Sequence, residues 1–274
     1  MHEHRTTEFP PPYGDPILDQ RRREWLDRAE GDVVVWESSH PGGCPIDPHH
    51  HNRCQLLFVR SGVVLVTTAS GRWLVPTGHA IWIPAGVEHA VEMLGSVRLQ
   101  SAYVLPRAIE GLPGDFRVVE MTELMRALME EAVGLPYAPH PRGRDGMIFG
   151  LVLQEVTRLK ELPLGLPFPA DARLARLCRA FLDEPSPHVK IDDWAASAGM
   201  SRRSFTRLFQ RETGVGLSTW RQQACLFAAV PRLAEGEPVT GVALDLGYES
   251  VPAFTTMFRR MLGVSPREWL KDSA

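Results

Sequence analysis

The sequence is poor in cysteine. It has four in 274 residues, Cys44, Cys54, Cys178 and Cys225, and no CxxC pair among them. That spacing excludes zinc ribbons and thioredoxin-type redox motifs and fits no disulfide framework, so the thiols are expected to be reduced. Long apolar runs are missing too. None approaches the roughly 18–20 residues that cross a bilayer, and no membrane partner is expected. The opening stretch, MHEHRTTEFPPPYGDP, is polar and proline-rich and lacks the apolar centre of a secretory signal, so a cytoplasmic location is expected. Neither charge dominates: 30 Lys+Arg against 33 Asp+Glu leave a net charge of -3. The chain as a whole is therefore not an electrostatic binder of nucleic acid. Walker-type loops, GxGxxG fingerprints, GxSxG elbows and zinc-finger Cys/His spacings are all absent. What remains is ordinary globular composition, 44% hydrophobic and 23% charged.

The even charge hides an asymmetry. From Asp171 onward there are 14 Lys+Arg and 12 Asp+Glu, against 16 and 21 before it. Opposite signs in two halves suggest two domains with different partners. The texture of the chain divides in the same way. A short charged helix is expected at Gln20–Ala29, after a flexible tail over 1–16. From Val33 to Val104, short runs rich in β-branched and aromatic residues (VVVW, QLLFVRSG, VVLVTT, RWLVP, HAIWIPAG, VRLQSAYV) are punctuated by Gly and Pro, the pattern of an antiparallel sandwich or barrel. From Glu120 to Lys160 the apolar period changes to three and four, which predicts amphipathic helices. ELPLGLPFPA (161–170) reads as a linker, because proline excludes both helix and central strand. Helical texture then continues from Asp171 to Leu270.

That last region contains a repeat. Phe205, Phe209, Gly214 and Trp220 are spaced 4, 5 and 6, and so are Phe254, Phe258, Gly263 and Trp269. Upstream, Ala195 precedes Gly199 by four, as Ala243 precedes Gly247. In the first copy a short helix (Asp192–Ala198) ends at Gly199, Ser201 caps the next helix, and Phe205, Leu208 and Phe209 form its inner face. The second copy repeats this with Ser250 as cap, Pro252 in the first turn, and Phe254 and Phe258 inside. Each copy reads as a helix-turn-helix whose second helix offers short polar side chains and arginines to a major groove. The candidate contacts are Arg202, Arg203, Ser204, Thr206, Arg207 and Gln210 in the first copy, and Glu249, Ser250, Thr255, Thr256 and Arg259 in the second. A bare helical bundle with a solvated face is the alternative for either copy alone.

DDWAASAGMSRRSFTRLFQRETGVGLSTWRQQ and GVALDLGYESVPAFTTMFRRMLGVSPREWL resemble the paired DNA-binding units of the AraC/XylS transcription regulators over about 171–271. The resemblance implies two recognition helices in successive major grooves, joined by a long helix at about Leu217–Ala234. The chain departs from the family where Cys225 replaces an expected basic residue and where Pro231 sits late in that helix. Pro231 is expected to kink the helix or end it early.

A second set of spacings lies in the strand-rich region. Gly43-x5-His49-x-His51-x3-Gln55-x6-Gly62 and Gly78-x5-Pro84-x-Gly86-x2-His89 resemble the two cupin motifs. They imply a small double-stranded β-helix in which His49, His51, Gln55 and His89 occupy the metal-ligand positions. Gln55 stands where metal-binding cupins carry Glu, and Met93 where Asn is usual. Three imidazoles and an amide suit a divalent transition metal, Zn, Ni, Cu or Fe, with an exogenous ligand completing the shell. The alternative is that the histidines bond an organic effector directly or simply pack. Trp36, Phe58, Trp82 and Tyr103 are the candidate effector-facing aromatics.

The expected fold is therefore α+β. A tail and short helix (1–30) precede a cupin-like effector barrel (31–110), a helical connector and dimerisation region (111–160), a linker (161–170) and a tandem helix-turn-helix domain (171–274). The expected function is a non-enzymatic regulator, in which a small molecule or metal in the barrel controls binding to double-stranded DNA. A homodimer is expected, with RNA polymerase a partner if the chain activates. A cupin-type metalloenzyme, a dioxygenase or isomerase with a helical appendage, is the alternative.

Overall fold

The computed structural model describes residues 24–42, 45–135 and 142–273. The expected tail, the start of the helix placed at Gln20–Ala29, Gly43 and Cys44 lie outside these residues. The end of that helix is seen as α1, residues 24–28.

Nine strands of the described residues form one antiparallel sheet. They are β1 (Val33–His40), β2 (Pro45–His49), β3 (Cys54–Thr68), β4 (Gly71–Pro76), β5 (His79–Ile83), β6 (His89–Val104), β7 (Arg117–Glu120), β8 (Glu161–Leu162) and β9 (Gly165–Pro167). The two long strands organise it. The first half of β3 pairs with β5 and the end of β6, and its second half pairs with β4 and the start of β6. β6 likewise carries β1 along its second half and β2 along its first. Register shifts between Val59 and Val63 mark the bend between the halves. Gly62 sits there at φ 83°, and a Cβ on it would stand 2.5 Å from the Ser96 carbonyl oxygen. Only glycine fits that corner, which explains its place at the end of the first motif.

Alternation along the strands separates two faces. Val33 and Val35 of β1, Leu56 and Phe58 of β3, Ala80 and Trp82 of β5, and Ala102 and Val104 of β6 point one way. Helices α2 (Glu123–Ala132) and α3 (Arg144–Val156) cover them, burying Met125, Leu128 and Met129 from one and Phe149, Val152 and Val156 from the other. Thr122 begins α2 by accepting the Met125 N–H. Two segments differ from the expectation. The region expected as a helical connector begins with β7, paired to β5 and to β8. The stretch expected as a linker lies on the sheet: β8 joins β7, and β9 joins β4. Its prolines allow this because they take edge positions, where no ladder donor is required.

Seven helices follow among the described residues: α4 (Ala172–Asp183), α5 (Ile191–Ser197), α6 (Arg202–Thr213), α7 (Leu217–Ala234), α8 (Val239–Asp245), α9 (Val251–Leu262) and α10 (Pro266–Ser273). Phe205, Phe209, Phe254 and Phe258 are fully buried, so the repeated phenylalanines are the cores of two like units. Each contributes about 1.5–3 kcal/mol by burial. The expected early end at Pro231 does not occur: α7 passes through it to Ala234. Pro231 lies within the last turn, where only one intrahelical hydrogen bond, to the Phe227 carbonyl, is forgone.

The two domains share an interface. α7 packs on β9 and touches β3 and β6. The Trp220 indole N–H donates to the Pro167 carbonyl at 2.8 Å, and the Gln223 amide donates to the Pro163 carbonyl at 3.1 Å. The prolines thus hold the carbonyls on which the joining helix docks.

Candidate functional site

The first helix-turn-helix is α5 and α6. The connecting turn passes through Gly199, and the Ser201 hydroxyl accepts the Ser204 N–H to start α6. The second is α8 and α9. Gly247 makes its turn at φ 80°, its carbonyl accepts from the His188 ring at 2.6 Å, and Ser250 accepts the Ala253 N–H. Both reading helices bury one apolar face and expose the other. Arg202, Arg203, Ser204, Thr206, Arg207 and Gln210 are exposed on α6, and Glu249, Ser250, Thr256 and Arg259 at α9; Thr255 is half-buried. The arginines differ in availability. Arg202 pairs with Asp192 at 3.4 Å, and Arg259 with Glu268 at 3.6 Å. Arg203 and Arg207, one turn apart, have no ion pair among the described residues. Thr206 and Thr256 donate back to the Arg202 and Pro252 carbonyls of their own helices. Their methyl groups and oxygen lone pairs are what remain for a base edge.

The other face of the sheet holds a cavity. Period-two alternation brings Trp36, Ser38 and His40 from β1, Gln55 and Leu57 from β3, and Leu99, Ser101 and Tyr103 from β6 to the same side. Trp36 and Tyr103 are thus placed as expected, with rings 4.4 Å apart. Phe58 and Trp82 are not. Phe58 follows Leu57 and so points to the opposite face, where it lies under the Arg126 guanidinium. Trp82 is the cross-strand partner of Leu56, faces α2 and α3 with it, and donates to the Pro113 carbonyl at 2.8 Å. Ser38, His40 and Ser101 were missed by sequence reasoning, although each lies two residues from Trp36, Ser38 or Tyr103 along a strand. Leu26 of α1 closes the cavity. Buried Arg53 holds α1 there by donating to the Leu26, Ala29 and Gly31 carbonyls. No sequence signal marked Arg53. The cavity volume is about 40 Å³, room for a few waters but far below the ~300 Å³ of ordinary small-molecule sites.

His49, His51, Gln55 and His89 do come together. The ring centroids of His49 and His89 are 4.4 Å apart, and those of His51 and His89 5.2 Å. The Nδ1 atoms of His49, His51 and His89 face the carbonyls of Asp47, Arg53 and Val87 respectively. A carbonyl only accepts, so each Nδ1 carries a proton, and a ring that is neutral keeps its lone pair on Nε2. Nε2 of His89 is buried and without a partner. Nε2 of His51 lies 3.1 Å from one end of the Gln55 carboxamide, and the other end meets the Ser101 and Tyr103 hydroxyls, each at 3.0 Å. With the carboxamide turned over, its NH2 donates to His51 Nε2 and its oxygen accepts from the Ser101 and Tyr103 hydroxyls, so this group is satisfied internally and the His89 Nε2 is the atom left open. Among the described residues, no three His, Cys, Asp or Glu side chains close on one metal position. A metal here would need Gln55 or an exogenous ligand in its shell.

Burial drives the His51 and His89 imidazoles toward the neutral form. It lowers the pKa of His51, and it lowers that of His89 to about 3, with repulsion from His49 adding to the effect. An unfolded histidine titrates near 6.5. Between those values the unfolded chain takes a proton that folded His89 refuses, so stability falls as pH drops from about 6.5 toward 3. The slope from His89 is at most about 1.4 kcal/mol per pH unit. Urea unfolding followed from pH 7 to pH 4 should show this loss, and His89→Gln should flatten it. An equally steep profile in the variant would contradict the assignment.

An antiparallel sheet enclosing a small cavity, joined to two arginine-bearing helix-turn-helix units, is the frame of a DNA-binding regulator. Two family models and sequence relatives agree. Residues 45–143 match a family model described as an AraC-like ligand binding domain, and residues 194–272 one described as a helix-turn-helix domain. The HTH-type transcriptional regulator NimR of Escherichia coli is 28% identical over 222 residues, 81% of each chain. The regulatory protein SoxS of Escherichia coli is 33% identical over 89 residues, 32% of this chain and 80% of SoxS. The solved structure of ToxT from Vibrio cholerae aligns at 11% identity and a TM-score of 0.38, covering 88% of this chain and 98% of that one. The chain belongs to the AraC family of DNA-binding transcription regulators. No helix of the described residues is long and apolar enough to cross a membrane.

Proposed function

We propose that the affinity of this regulator for DNA is set by a small molecule or divalent transition metal (Zn, Ni, Cu or Fe) held at the His49, His51, Gln55 and His89 layer of a cupin-like domain. The observation that carries this reading is the buried, unpartnered Nε2 of His89, packed against the His49 and His51 rings. An ion or a ligand of a few atoms fits the cavity as it stands, and a larger effector requires α1 and Leu26 to move. Coupling to DNA runs through the shared interface. Leu57, Val91 and Leu99 line the cavity and belong to the same continuous core as α7. An effector that shifts β3 or β6 therefore acts on the helix joining the two reading units.

The test is a thermal-shift screen of metals and small molecules, repeated for the best hit with His51→Ala and His89→Ala. Loss of the shift in both variants is expected, and an unchanged shift in both would contradict the site. The preference for a regulator over a metalloenzyme rests on the paired reading units and on the relatives.

The same reading assigns the α2–α3 pair to dimerisation. Leu124, Met147 and Leu151 are exposed there at 49%, 58% and 48%, and Met147 and Leu151 lie one turn apart. A second copy covering this face lets two chains occupy two half-sites. Sedimentation should give a dimer that Leu151→Lys dissociates, and a monomeric wild type would exclude this interface.

A further inference from the structure

The helical domain holds a second cavity that none of the foregoing uses. It is a groove of about 280 Å³ between α7 and α9, walled by Ser218, Arg221 and Gln222 on one side and Thr256 and Arg260 on the other, with Tyr248 at its end. None of its lining residues is acidic. The Arg221 Nε and the Gln222 Oε1 are buried and lack hydrogen-bond partners, and the buried Tyr248 hydroxyl has no oxygen or nitrogen partner. Tyr248 is only 9% exposed, and its hydroxyl lies beside the Cys225 thiol without a hydrogen bond of ordinary geometry. Buried polar atoms are rarely left unsatisfied, and a half-buried guanidinium with no carboxylate is especially unusual.

We propose that this groove binds a phosphate group. Two guanidinium forks and the Tyr248 and Ser218 hydroxyls supply convergent donors, and guanidinium matches the tetrahedral oxyanion in a bidentate manner. Rotating the Gln222 carboxamide adds its NH2 to the set. Cys225, standing where a basic residue was expected, leaves the floor of the groove uncharged. Its thiol, pushed up to about 11 by burial, stays protonated. The outer wall is α9, which carries exposed Thr256 and Arg260, so a phosphodiester of a duplex lying along α9 is within reach of the mouth. That source rests on the reading of α9 as a DNA-contacting helix. A free phosphorylated molecule offers the same chemistry.

Two measurements on the full chain separate these sources. Melting is followed with added inorganic phosphate at constant ionic strength for wild type, Arg260→Gln and Tyr248→Phe. Arg260 is exposed, so its removal leaves the fold intact. Phosphate should raise the wild-type Tm, by roughly 2–4 °C for each tenfold gain of phosphate over its Kd, and the rise should shrink in both variants. Duplex affinity is then measured against salt. If the phosphodiester is the ligand, Arg260→Gln lowers the slope of log K against log salt by about 0.9 and weakens target and unrelated duplexes alike. An unchanged slope with the phosphate shift retained assigns the groove to a free molecule. If wild type binds no duplex yet shows the shift, the DNA reading of α9 fails while the groove stands. A Tm that phosphate leaves unmoved, or moves equally in all three proteins, combined with an unchanged slope overturns the proposal.

Discussion

Replacing Arg203 and Arg207 together by alanine should lower affinity for the target duplex by roughly a hundredfold or more and leave the fold intact. A guanidinium that reaches a base edge or phosphate is worth about 1–3 kcal/mol. These two are exposed, one turn apart on α6 and unpaired among the described residues, so nothing within the protein competes for them. Arg202 and Arg259 should matter less singly, because each must first leave a carboxylate. For the same reason the melting temperature should hold, since exposed unpaired side chains usually change stability by less than about 0.5 kcal/mol. The single variants sort the two roles. A base-reading arginine loses discrimination between target and unrelated duplex, whereas a phosphate-contacting one weakens both equally and flattens the salt dependence. Wild-type affinity in the double variant would remove α6 from the interface.

Trp220→Ala should be the most damaging single change, costing about 3–5 kcal/mol. The ring is fully buried among Phe181, Trp194 and Phe209, at centroid distances of 5.9 to 6.1 Å. Its N–H also makes the 2.8 Å bond to Pro167 that ties α7 to the sheet. The substitution therefore leaves a cavity in the first reading unit and an unmet carbonyl at the domain interface. Calorimetry should show the helical domain melting early or separately from the sheet. Trp220→Phe keeps the ring but not the donor, and should lose stability less while loosening the coupling. A melt of the alanine variant that superimposes on wild type would mean that Trp220 joins nothing.

The repeated Phe–Phe–Gly–Trp spacing was legible because a helix writes its core at steps of three and four and its turns in glycine. Both reading helices and their serine caps appear where that spacing puts them. His49, His51, Gln55 and His89 were legible for a similar reason, two strand-end motifs with fixed intervals. Period-two alternation separates the aromatics only when it is followed strand by strand. Phe58 is out of phase with Gln55, and Trp82 follows Leu56 across the ladder, so both fell on the helix-covered face. Arg53 could not be read at all, because its partners are carbonyls more than twenty residues earlier. The proline-rich stretch misled for a physical reason: proline forbids a central strand, yet an edge strand can hold it where the missing N–H would face away from the ladder.

A footprint of a target promoter fragment by wild type, Arg203→Ala/Arg207→Ala and Arg259→Ala is the most direct measurement. Two protected major-groove segments about one helical turn apart, roughly 10 base pairs, should appear with wild type. The α6 variant should lose one segment and the α9 variant the other. A single protected segment, or both variants weakening the same one, would contradict a duplicated reading head.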